Sequence, residues 1–176
     1  SPSSITFTSS NWNANQTVTV TGVNDNLDDG NQSYTIVLAE ASSSDSGYNG
    51  MNPTDVTVSN TDDETAGVTV SSISGSTTES GGTATFTVKL NSEPYVNVTI
   101  GVSSNDTSEG TVSPSSLTFT SSNWNANQTV TVTGANDSLA DGNQSYTIVL
   151  AEASSSDSGY SGINPSDVTD RKSTRL

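Results

Sequence analysis

Cysteine and histidine are both absent from the sequence. Their absence excludes disulfides, thiolate nucleophiles, zinc fingers and every histidine-based catalytic triad. Cations are almost as scarce. Four Lys and Arg stand against 19 Asp and Glu, a formal net charge of −15. Three of the four, Arg171, Lys172 and Arg175, fall in the last six positions. Residues 1–169 therefore hold one cation, Lys89, against 18 acids, a net of −17. No basic face exists to neutralise phosphates, so nucleic acid is excluded as a partner. An anionic membrane surface is excluded for the same reason. Long apolar runs are missing too. None approaches the roughly 18–20 residues of a membrane-spanning helix, and direct membrane insertion is not expected. For metal chemistry, oxygen donors are what remain, and carboxylates in such excess suit a hard cation such as calcium.

What is present in quantity is hydroxyl. Serine (34) and threonine (27) supply about a third of the 176 residues, while apolar residues make up only 29%. Composition of this kind is compatible with disorder, but the pattern is not. Apolar residues alternate with threonine, as in Thr17-Val18-Thr19-Val20-Thr21 and Ala84-Thr85-Phe86-Thr87-Val88. A period of two in β-branched residues marks half-buried strands. The chain opens with Ser-Pro and shows no signal peptide, which suggests an excerpt of a longer protein.

The sequence repeats itself. Residues 1–57 align without gaps to 113–169, with 50 identities and seven differences. A period of 112 is too long for a solenoid turn and fits β-sandwich modules strung head to tail. One module reads as strand A from Val68, B at 83–90, C at 96–102, D at 117–120, E at 129–133 and F at 145–151. The connections between them carry Gly-Gly, Asn-Asp, Ser-Pro and Asn-Pro turn formers. Strand G is expected only in the first copy, at 55–60. The expected fold is therefore all-β: immunoglobulin-like antiparallel β-sandwich repeats, one partial and one nearly complete. Residues 1–64 carry strands D to G of one repeat, and 66–169 carry A to F of the next. The link at 65–66 is too short to cross a sandwich from pole to pole, so A, B and C are expected to pair with D, E and F of 113–169. At 170–176 the repeat calls for VSNTDDE, yet the sequence has DRKSTRL. This aberrant tail is expected to be non-native, with a natural terminal cap as the rival reading.

The acids cluster at strand ends: Asp25, Asp28 and Asp29 in the first E–F turn, Asp137 and Asp141 in the second, Asp62-Asp63-Glu64 after strand G, Glu79 after A and Asp106 after C. In a seven-stranded sandwich these connections reach one pole. Carboxylates converging there repel one another until a cation binds them. The stretches Thr78-Glu79-Ser80-Gly81-Gly82-Thr83, Asn105-Asp106, Asn136 to Tyr146 and Asn60-Thr61-Asp62-Asp63-Glu64 together resemble the Calx-β domain, found in sodium–calcium exchangers and many bacterial surface proteins. The resemblance covers the whole 112-residue period. It implies an immunoglobulin-like sandwich with Ca²⁺ at that pole. By position, the ligand candidates are Glu79, Asp106, Asp137 and Asp141 in the second repeat, and Asp25, Asp28, Asp29, Asp62, Asp63 and Glu64 in the first. Two departures stand out. Ala140-Asp141-Gly142-Asn143 holds fewer acids than the family's E–F turn, and each repeat lacks part of its set. The bland alternative is that acidic turns only keep a Ser/Thr-rich surface soluble.

Asp45, Asp157, Glu93 and Glu109 read as solvated loop charges. Trp12 and Trp124, between D and E, either stack on a sugar or plug the end of the sandwich, and plugging is favoured. Tyr48 and Tyr160, in the F–G loop, are better placed to meet a partner, though loop packing is favoured there too. An enzyme without His or Cys needs a carboxylate pair across a cleft, and acids in turns do not supply one. The function expected is a non-catalytic, extracellular or cell-surface, calcium-binding repeat that acts as a spacer or stalk in a bacterial surface or adhesin protein. Its partners would be neighbouring repeats and a host or matrix ligand. The alternative is an adhesion module that recognises carbohydrate or protein.

Overall fold

A computed structural model of the chain describes residues 1–137 and 139–174. Among them there is no helix, and so none long and apolar enough to cross a membrane. The chain divides into two units: residues 1–25 with 30–62, and residues 26–29 with 63–176.

In the first unit two strands form, β1 (Gln32–Ile36) and β2 (Val56–Asn60), paired antiparallel with Tyr34 opposite Val58. The second unit holds β3 (Val68–Val70), β4 (Thr83–Leu90), β5 (Val98–Ser104), β6 (Gly110–Ser113), β7 (Ser116–Phe119), β8 (Gln128–Gly134), β9 (Gln144–Leu150) and β10 (Val168–Lys172). These make two four-stranded antiparallel sheets, ordered β10-β9-β5-β7 and β3-β4-β8-β6. The alternating pattern decides which side chains meet between them. Phe86, Val88 and Leu90 of β4 and Val130 and Val132 of β8 face Val98, Ile100, Leu117, Phe119, Ile148 and Leu150 of the other sheet, all buried in one core. The threonines between them point outward, where β-branched hydroxyl residues suit a half-exposed strand. All ten residues expected to point inward do so: Phe86, Val88, Leu90, Val98, Ile100, Phe119, Val130, Val132, Ile148 and Leu150.

Two strands escaped the sequence reading. β6 is a short edge strand, 110–113, on β8. More consequential is β10. The second repeat does not stop at strand F, and the aberrant end is not a loose tail through residue 174. Asp170 pairs with Tyr146, and Lys172 with Gln144. Ser173 continues by exchanging backbone bonds with Thr77 and Glu79 (2.9 and 3.1 Å). The reason is that a strand edge is satisfied by backbone groups of any sequence, and the period of two puts Val168, Asp170 and Lys172 inward. Arg175 and Leu176 of that tail lie outside the described residues.

The first unit forms fewer strands from nearly the same sequence. Residues 5–8 and 17–21, the counterparts of β7 and β8, form no ladder. In the second unit β7 pairs with β5, and β8 pairs with β4 and β6; β7 and β8 do not pair with each other. Without strands of the B and C type, both lose those ladder partners, while Thr19 keeps a backbone exchange with Ser1 (3.1 and 2.6 Å). The F and G strands bond to each other, so β1 and β2 persist.

Candidate metal centre

Three connections and one strand end of the second unit bring carboxylates together. Glu79 lies in the turn between β3 and β4. That turn closes through Thr78, whose hydroxyl accepts the Gly82 N–H (2.9 Å), and through Gly81, whose φ of 84° suits a residue without Cβ. Gly134 at the end of β8 lets this turn approach, since a Cβ there would collide with the Thr78 carbonyl. Glu79 Oε1 then accepts the Asp137 N–H at 3.4 Å. Glu109, between β5 and β6, is buried, and its carbonyl accepts the Ala135 N–H at 2.9 Å. The carboxylate oxygens of Glu109, Asp137 and Asp141 lie within 4.8 Å of one another, one trio among the described residues with the spacing of a metal site.

A cation already sits among these acids. The Lys172 side chain is fully buried. Its Nζ lies 2.8 Å from Glu109 Oε2, 3.2 Å from Asp137 Oδ2 and 3.4 Å from Glu79 Oε1, and donates to the Ala135 carbonyl at 3.2 Å. The Glu109 contact is an ion pair without hydrogen-bond alignment. In the first repeat the residue at this place is Asn60. The donor set is therefore all oxygen, three carboxylates and a carbonyl, closed around one positive charge. Such a set fits a hard cation by its chemistry, and Lys172 shares Glu109 and Asp137 with the trio.

Not every expected ligand joins the set. Asp106 is exposed, and Oδ1 accepts the Ser108 N–H (3.0 Å) and hydroxyl (2.5 Å), so it caps its own turn. In the first repeat Asp62 Oδ2 accepts the Gly30 N–H (2.5 Å), within the first unit, where Asp25 is also found. Asp28, Asp29, Asp63 and Glu64 belong to the second unit, where Asp28 Oδ2 accepts the Ala66 N–H at 2.7 Å. None of these six belongs to the trio.

Some residues depart from the sequence reading, and Tyr160 and Trp124 follow it. Glu109 is no solvated loop charge but the most buried acid of the cluster, and the one signal for it was its place in the C–D connection. Asp157 is buried as well, accepting the N–H groups of Tyr95 (2.8 Å) and Gly159 (2.9 Å). Glu93 is half-buried, and its N–H donates to the Asn26 carbonyl at 2.7 Å. Tyr160 is buried, donating to the Ser92 carbonyl at 2.6 Å, whereas its counterpart Tyr48 is exposed. Trp124 packs on the core as a plug, whereas Trp12 is 69% exposed. A second buried network joins the tail to the core: Asp170 Oδ2 accepts from the hydroxyls of Tyr146 and Thr77, both at 2.6 Å.

These contacts shift protonation in definite directions. The Leu139 N–H, and after it Lys172, hold the Asp137 carboxyl below its ordinary 3.8; the Ser108 hydroxyl and N–H do the same for Asp106. Burial works against the charge on Lys172, but the contacts to Glu109, Asp137 and Glu79 outweigh it and hold the ammonium above its ordinary 10.5. Burial, and then the Asp170 carboxylate, raise Tyr146. A lowered carboxyl contributes stability that is present above pH 3.8 and lost as pH falls through its folded value. A raised lysine contributes stability that is complete below pH 10.5 and lost as pH climbs through its folded value. The melting temperature of the second unit should therefore hold level between these limits and fall outside both. In K172M the alkaline fall should shrink to the share of Tyr146, and an unchanged alkaline fall would contradict the assignment to Lys172.

The sequence profile of the Calx-beta domain matches residues 2–64 and again 60–170. The chain belongs to the Calx-beta family. Calx-beta is a non-enzymatic domain family associated with calcium binding, and its domains are typically extracellular. The two matches follow the internal repeat, and the acidic pole of the second Calx-beta repeat is where Lys172 lies. Among solved structures, WR4, a C. elegans MSP family member, is similar at 13% identity with a TM-score of 0.36, over 57% of this chain and 91% of that one. No curated protein sequence gives a match.

Proposed function

We propose that this chain is a non-catalytic spacer segment from an array of calcium-binding Calx-beta repeats on a bacterial surface or adhesin protein. The observation that supports it is the convergence of Glu79, Glu109 and Asp137, from three separate connections, on one cation at the pole of the sandwich. Carboxylates held this way are spent on electrostatic cross-linking and not on acid–base chemistry. In a repeat with asparagine at the position of Lys172, as at Asn60, Glu79, Glu109, Asp137 and Asp141 would hold the ion together with the Ala135 carbonyl. Calcium there would supply the positive charge that ties the three connections to the end of the last strand. The near-identity of the copies suits a repeated spacer, since one recognition site needs no duplicate.

The test replaces Lys172 in the full chain. K172N should melt lower than the parent in chelator and regain the loss in calcium, because an ion that binds only the folded state stabilises it by about 2.7 kcal/mol at a hundredfold excess over Kd. The parent should respond little, its ammonium already occupying the place. Adding Glu79→Ala to K172N should remove most of the calcium gain. A K172N protein whose melting ignores calcium would sink the reading.

A further inference from the structure

Beside the acidic pole lies a buried network of two hydroxyls and a carboxylate. Asp170 of β10 stands opposite Tyr146 of β9, where the first repeat pairs Val58 with Tyr34. Thr77, Tyr146 and Asp170 are all buried, none more than 3% exposed. A carboxylate at that depth is tolerated only when its oxygens are satisfied. Here Oδ2 accepts from both hydroxyls at 2.6 Å, and Oδ1 accepts the Thr77 N–H at 3.4 Å. Each hydroxyl belongs to a residue next to an acid of the pole. Thr77 leads into the turn that carries Glu79, and its three polar groups are all engaged: the N–H and hydroxyl on Asp170, the carbonyl by the Ser173 N–H at 2.9 Å. The Tyr146 phenol lies against Gly110, the residue after Glu109, so closely that a Cβ on Gly110 would collide with it. The depth of that phenol therefore limits how far the backbone at Glu109 can enter.

We infer that Thr77 and Tyr146, tied together on Asp170, are positioning residues of the acidic pole: their hydroxyls set where Glu79 and Glu109 stand around the cation. The inference rests on the reading of that pole as a cation site. Glu79 Oε1 and Glu109 Oε2 come from separate connections and reach the Lys172 ammonium at 3.4 and 2.8 Å. Like charges carried on loose turns would spread apart. An anchor behind each acid holds it in place against that repulsion, as hydrogen-bonded partners behind a metal's ligands do. The backbone bonds of Ser173 hold the Glu79 turn as well. They do not depend on the Thr77 side chain, so the hydroxyl can be tested alone.

The experiment has two arms, both on the full chain. In the first, calcium is titrated calorimetrically into K172N and into K172N carrying one further change. Thr77→Val keeps the shape of the side chain and removes the hydroxyl, and Tyr146→Phe keeps the ring. Each should raise the calcium Kd by on the order of tenfold or more. Thr77→Ser gives up the methyl and keeps the hydroxyl, and should leave Kd near that of K172N. Val98→Ala, in the core at the far end of β5, should lower the melting temperature and leave Kd unchanged. In the second arm, the parent and the same four changes without K172N are acetylated with acetic anhydride, and the rate at the buried Lys172 is read by mass spectrometry against Lys89. Thr77→Val and Tyr146→Phe should speed labelling of Lys172 by on the order of tenfold through local opening of the pole. Thr77→Ser and Val98→Ala should not. A K172N protein that binds no calcium sinks the calcium reading alone, and the labelling arm then decides the positioning. The inference is overturned if Thr77→Ser does as much harm as Thr77→Val, since packing would then be the cause. It is equally overturned if Val98→Ala has the same effect, or if Thr77→Val and Tyr146→Phe change neither Kd nor labelling.

Discussion

Phe119→Ala should cost the second unit about 4 kcal/mol, whereas Phe7→Ala should change the stability of the chain by less than about 0.5 kcal/mol. The two phenylalanines occupy the same place in the repeat, inside the same Thr-Phe-Thr sequence. Phe119 is fully buried between the sheets, opposite Val98 of β5, and its removal leaves a cavity that the surrounding core fills only in part. Phe7 is 55% exposed and has no facing sheet to leave. Urea unfolding followed by Trp124 emission, in a Trp12→Phe background, reads the second unit alone. Equal losses at the two positions would mean that the first unit has a packed core after all.

In chelator, Lys172→Met should lower the melting temperature of the second unit by on the order of 10 °C. Methionine keeps the length of the side chain and removes the charge, leaving Glu79, Glu109 and Asp137 close together with no cation. The loss comes less from the missing attraction than from carboxylates stranded side by side, of which Glu109 is the most deeply buried. Glu109→Gln in the K172M background should therefore recover part of the loss. The same change in the parent should destabilise, because it deprives a buried ammonium of its nearest partner. This opposite sign is what residues sharing one ion-pair network require. Thermal melts of the four proteins at one pH and salt concentration measure it, and simple additivity would refute the network.

Much of this was legible along the chain. Strict alternation in Thr83–Leu90 and in 145–150 specified strand, inward face and core membership together, since side-chain direction in a strand depends only on parity. The offset of 112 marked the repeat, and the length of the link at 65–66 assigned 66–112 to 113–169, as the ladders of β4 and β5 show. The acids at strand ends pointed to one pole. Glu79 and Asp137 do meet there, and Asp141 lies beside Asp137.

What the sequence left open were the questions settled by distant partners. Residues 5–8 and 17–21 carry nearly the same letters as β7 and β8, yet form no ladder, because a strand is made by the chain beside it. Asp106 has the position of a ligand and serves its own turn, since the Ser108 N–H and hydroxyl already occupy its Oδ1. Glu109 reads as a loop charge and is buried, because the packing of β6 against β8 carries it inward. Lys172 breaks the pattern of the repeat, and no local rule gives it a role. Only the pairing of β10 with β9 delivers its ammonium to Glu79, Glu109 and Asp137, three acids brought near in space by connections far apart in sequence.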